Sequence, residues 1–191
     1  MERLNEQMRK WSSRLRDDLN LLPSESNRLA STIASEVAAL PPDAKQRVRD
    51  ASLIPLAARW EEVKAFQNWM DLVRVSSPHP AVVRAQVIVQ NYFCFVYLGE
   101  SCFKVLCKEL PARPATKKCC KFLTDSPVRA FRNAIAHSNR QYLPDFSGLE
   151  FWAKKGSDLA EQPQRFIVLQ QDLAFWQMLA RCTAYASYLS I

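Results

Sequence analysis

His137 is one of only two histidines in a chain of 191 residues. It closes the run Arg132-Asn133-Ala134-Ile135-Ala136-His137. An imidazole gives or takes a proton near neutral pH. A guanidinium stays charged and meets phosphate oxygens with a planar fork. A carboxamide can orient a ring or hold an oxygen. Arg129 and Arg140 bring two further guanidiniums. Together these groups suit chemistry on a phosphodiester without a metal. A solvated basic face with a surface histidine is the competing reading of the same residue types.

The element that must position them is a helix over 127–140, PVRAFRNAIAHSNR. Pro127 fits a first turn, where its missing N–H costs nothing, and Ser126 or Asp125 is a candidate cap. At about 100° per residue, Val128, Phe131, Ala134 and Ile135 share an apolar sector. Arg129, Asn133, His137 and Arg140 fall within about 80° of each other on the other side. Asn133 and His137 are four apart and so are neighbours. Arg132 lies on the border, with a stem long enough to swing toward the polar face.

The arginine, the polar residue after it, the small residues Ala134 and Ala136, and His137 resemble the signature of the HEPN superfamily. The motif itself covers six residues, and the helical pattern around it extends the likeness over roughly residues 60–191. Toxins of the HEPN and nucleotidyltransferase pairs often carry a tyrosine two residues after the histidine; Asn139 stands there in this chain. The resemblance implies an all-α, HEPN-like helical bundle acting as a homodimer. It implies a metal-independent endoribonuclease that cleaves RNA by 2′-OH transesterification at a composite site, as toxins and antiviral effectors do. Arg132, Asn133 and His137 would then be catalytic, with no cofactor and no metal. The alternative is a non-catalytic HEPN-like dimerising module that binds RNA, a nucleotide or a protein partner, and a neutralising protein partner fits either reading.

The rest of the chain agrees with a nucleic-acid partner. The net charge is +7, which favours polyanions. Lys117, Lys118 and Lys121 precede the central helix and are candidates, with Arg129 and Arg140, to bind the RNA backbone. The six cysteines form no CxxC pair and have no histidine at ligand spacing, which argues against zinc. The start, MERLNEQMRKW, is charged, so reduced thiols in a cytoplasm are expected. The apolar run within 81–110 is broken by Arg84, Gln86, Gln90 and Asn91, which excludes a membrane span. Its aromatics, Tyr92, Phe93, Phe95 and Tyr97, sit at core spacing.

Periodicity places helices at 2–20, from Ser24 or Ser26 to Ala39, at 43–51, 53–75, 81–110 and a short basic one at 115–123. Alternation at 149–155 and 164–169 gives a small β-hairpin before the C-terminal helix, which Asp172 is expected to cap. Residues 1–52 read as an N-terminal helical segment packed on or completing the bundle, and 53–191 as the HEPN-like domain. His79, between Pro78 and Pro80, reads as a loop surface residue.

Overall fold

The computed structural model describes residues 2–22, 25–52, 68, 90–98, 100–153 and 163–191. The expected helix at 53–75, His79 and the first part of the 81–110 pattern lie outside the described residues. The described chain is mostly helical, with a small three-stranded antiparallel sheet before the C-terminal helix. The helices are α1 (Glu2–Asp18), α2 (Ser26–Ala38), α3 (Pro42–Ser52), a π-helical stretch (Phe93–Tyr97), α4 (Glu100–Glu109), α5 (Ala115–Thr124), α6 (Val128–Ala136) and α7 (Gln170–Ser190). The strands are β1 (Arg140–Tyr142), β2 (Gly148–Ala153) and β3 (Gln164–Leu169), in the order β1-β2-β3.

The hairpin expected from alternation is β2–β3, paired from Gly148↔Leu169 to Ala153↔Gln164. A third strand joins it, β1, with Arg140 opposite Phe151. Leu149, Phe151 and Val168 turn into the core, as the period of two requires. At Gly148 a Cβ would collide with the Val168 carbonyl oxygen, so the tight start of β2 needs a glycine.

The core gathers around α7, which buries Leu173, Trp176, Leu179, Ala180 and Ala184. α2 lies along α7 and buries Leu29, Ile33 and Val37 at helical spacing. α1 docks through Trp11, stacked on Phe122 at 4.1 Å. Its Ser12 hydroxyl accepts the Trp176 indole N–H at 3.0 Å. The N-terminal helices therefore share one core with the C-terminal one. Glu36 of α2 fixes the start of α5, taking the N–H groups of Ala115 and Thr116 at 2.9 and 2.7 Å and the Thr116 hydroxyl at 2.6 Å. That carboxylate satisfies amides that a helix start otherwise leaves orphaned. Arg47 of α3 clamps Glu109 of α4 with two bonds of 2.7 and 2.8 Å.

Several local expectations are corrected. The pattern through 110 is not one regular helix: a π-helical stretch at 93–97 precedes a bend at Leu98, and α4 starts afresh at Glu100. Phe95 is buried but Tyr92 is 46% exposed, so the aromatic run is not all core. Asp172 does not cap α7. The helix starts two residues earlier, and Asp172 lies buried in its first turn. Neither Ser126 nor Asp125 caps α6 by its side chain; the Asp125 carbonyl instead accepts the Arg129 N–H at 2.9 Å.

Candidate active site

α6 forms because its apolar residues recur on one side. Val128, Phe131, Ala134 and Ile135 are all essentially inaccessible. Phe131 is the hub of this contact. Its ring meets Phe95, Phe151 and Trp176 edge-on, with centroids 5.3, 5.1 and 5.7 Å away. Those three rings come from the π-helical stretch, β2 and α7, so one side chain fixes α6 against three elements. Edge-to-face contacts add to the burial itself.

The helix ends earlier than its sequence pattern. It stops at Ala136, and His137 occupies the C-cap position. Ser138 follows with φ of 59°. The Ser138 N–H bonds the Ile135 carbonyl at 3.3 Å, and the Asn139 N–H bonds that of Ala134 at 2.8 Å. This pair of bonds is a Schellman ending, with serine in the left-handed place that glycine usually takes. Chain direction then reverses into β1.

That ending moves Arg140 off the helix. Its guanidinium donates to the Ile135 carbonyl at 3.1 Å, closing the last turn of α6 from the β1 side. A cation is the favoured group at a helix C-terminus. Arg140 therefore does not join Arg129, Asn133 and His137 on one helical stripe, as the sequence pattern suggested. It is half-buried and holds the segment that carries His137.

His137 itself is exposed. Its backbone N–H bonds the Asn133 carbonyl at 3.0 Å. The spacing of four predicts that the Asn133 amide orients the ring; among the described residues it makes no hydrogen bond to it. Arg132 is half-buried, and burial pushes its pKa below the ordinary arginine value. Together with Arg129, Phe95, Phe103 and Leu123, it lines a water-sized recess beside α6. Two guanidiniums and three apolar side chains thus share one small notch.

The lysines of α5 divide. Lys117 donates to the Leu110 carbonyl at 2.8 Å, just past α4, and Lys118 to the Asp18 carbonyl at 3.2 Å, at the end of α1. Both ammoniums close helix ends, while Lys121 is exposed. The structure thus carries Arg129, Arg132 and Asn133 on α6 with His137 at its C-cap, places Arg129 and Arg132 at one recess, and gives Lys117, Lys118 and Arg140 bonds to backbone carbonyls. Sequence reasoning missed Trp152 and Arg165, which face each other across β2 and β3. The alternation of the two strands carried that signal.

All six cysteines are free thiols. Burial pushes Cys94 and Cys119 up to about 12 and Cys102 to about 11. Such thiols pack as small apolar groups. Among the described residues no group of three or more His, Cys, Asp or Glu side chains is placed to hold a metal ion. No helix among them is long and apolar enough to cross a membrane. No family model matches the chain, and no curated protein or solved structure is significantly similar to it.

Proposed function

We propose that this chain is a metal-independent endoribonuclease of HEPN type, working as a homodimer. What supports the reading most is the division of labour on α6. Its apolar face supplies four fully buried side chains, while Arg132, half-buried against Phe95, Phe103 and Leu123, and an exposed histidine stand on what remains. The exposed His137 ring is not needed to fill the interior.

In the reaction, His137 of one protomer takes the proton of the RNA 2′-OH. The 2′-oxygen forms its bond to phosphorus, and the bond from phosphorus to the 5′-oxygen breaks. A second imidazole, supplied by the other protomer, gives that 5′-oxygen its proton. Arg132, with Arg129 beside it, neutralises the charge that builds on the non-bridging oxygens. The partial desolvation of Arg132 strengthens that attraction, because charges interact more strongly away from water. The products are a 2′,3′-cyclic phosphate and a 5′-OH.

A non-catalytic HEPN-like module that binds RNA is the second reading. The observation favouring it is the His137 ring, which has no orienting hydrogen bond among the described residues. End-group analysis separates the two. The nuclease reading expects fragments formed in excess chelator whose 5′ ends accept phosphate from a kinase without prior phosphatase treatment. RNA that is bound but stays intact would leave only the module.

A further inference from the structure

The outer face of the small sheet carries a feature that the α6 chemistry does not use. Along β2 the inward residues are Leu149 and Phe151, so Glu150 and Trp152 alternate to the other face. Arg165 of β3 stands opposite Trp152 in the register. Its guanidinium carbon lies 5.1 Å from the centre of the Trp152 ring system, within range for a cation–π contact. Glu150 pins the same guanidinium from the side, with Oε1 3.3 Å from a guanidinium nitrogen. The Gln141 amide of β1 hydrogen-bonds Glu150 in turn. The result is a pre-ordered pair of planes, indole and guanidinium, with the Arg165 side chain 56% exposed.

This pair sits close to the candidate chemistry. The Trp152 backbone N–H bonds the Asn139 carbonyl at 3.1 Å, and Asn139 is two residues beyond His137. Two residues of chain reach about 7 Å and one strand spacing adds about 5 Å. The two reaches together are at most about 12 Å, a gap that about two nucleotides of single strand cover.

We propose that Trp152 and Arg165 form a stacking platform for an unpaired nucleobase of single-stranded RNA. The proposal rests on the reading of α6 as an RNA site, and it adds the requirement that the substrate be unpaired there. Base faces stack on indole rings and on guanidinium planes whatever their sequence. Glu150 decides between base and phosphate. A carboxylate beside Arg165 offsets its charge and repels a phosphate, while leaving its plane available for stacking. The net charge of +7 brings the polyanion to the surface, and the platform then selects strands with an exposed base.

The test uses the full chain carrying His137→Ala, so that RNA stays uncut, and a fluorescently labelled short single-stranded RNA read by anisotropy. Trp152→Leu keeps the bulk on the strand but removes the π-face, and is expected to weaken binding roughly 5- to 150-fold. Trp152→Phe is expected to recover most of that loss, and thermal melts of both variants report the fold. A fully paired RNA of the same sequence is expected to be insensitive to Trp152→Leu. Equal single-strand binding with and without Trp152→Leu overturns the platform, as does the same loss on paired RNA, or no binding by the His137→Ala parent. Failure of the nuclease reading shows separately, as an unmodified protein that leaves RNA intact while its binding still depends on Trp152.

Discussion

Replacing Arg140 by alanine separates two roles that the sequence alone does not distinguish. As a phosphate contact, Arg140 would add to RNA affinity. As the structure has it, its guanidinium closes the last turn of α6 at the Ile135 carbonyl, 3.1 Å away. A hydrogen bond from a charged donor contributes about 1.5–3 kcal/mol, and solvent screening in the half-exposed setting of Arg140 lowers that to about 1–2 kcal/mol. For a chain of this length that is a drop in melting temperature of about 2–8 °C. The last turn carries His137, so single-turnover cleavage should slow along with it. The diagnostic assay is RNA binding across a salt series. A lost phosphate contact reduces the slope of log affinity against log salt by about one. The helix-cap account expects an unchanged slope and a lowered melting temperature. A reduced slope with an unchanged melt would refute it.

Three further outcomes follow from the packing. Glu36→Ala removes the carboxylate that holds the start of α5, where it accepts three hydrogen bonds. It should cost about 1–3 kcal/mol by chemical denaturation, with Glu36→Gln intermediate. Phe131→Ala should cost about 3–5 kcal/mol, since a fully buried ring touching three others leaves a cavity. The buried thiols predict alkaline instability. Cys94 and Cys119 sit at about 12 in the folded chain against an ordinary value of 9.0. Their folded pKa values are raised, so the stability they contribute is full below the ordinary thiol value and is lost as pH climbs toward the folded one. Near pH 10 each should cost on the order of 1 kcal/mol. Denaturation midpoints that hold constant from about pH 8.5 to 10.5 would contradict that burial.

Much of the fold was legible because burial writes a period into the chain. Leu29, Ile33 and Val37 announce α2, and Leu149, Phe151 and Val168 announce the hairpin, because each set faces one core. The strand β1 was not legible: three residues, Arg140–Tyr142, are too few to show alternation. The end of α6 was hidden for a different reason. A Schellman ending usually shows itself by glycine, and here Ser138 takes the left-handed place. Helical spacing continued past Ala136 also places Arg140 on the face of Arg129, Asn133 and His137, although the helix stops there. Charge alone marks Lys117, Lys118 and Arg140 as candidates to bind RNA. A charge in sequence does not reveal that a neighbouring helix end offers an unsatisfied carbonyl within reach. The six-residue run from Arg132 to His137 was legible as a motif, and the structure adds the depth of its arginine and the exposure of its histidine.

The most direct test of the account is single-turnover cleavage of a labelled single-stranded RNA in excess EDTA, with unmodified protein and with His137→Ala. The account predicts cleavage that survives chelation. It predicts that His137→Ala lowers the rate on the order of 100- to 10,000-fold while its melting temperature stays within a degree or two of the parent's, because an exposed ring contributes little to stability. Cleavage by His137→Ala at the parent's rate, or an unmodified protein that leaves the RNA intact, would contradict it.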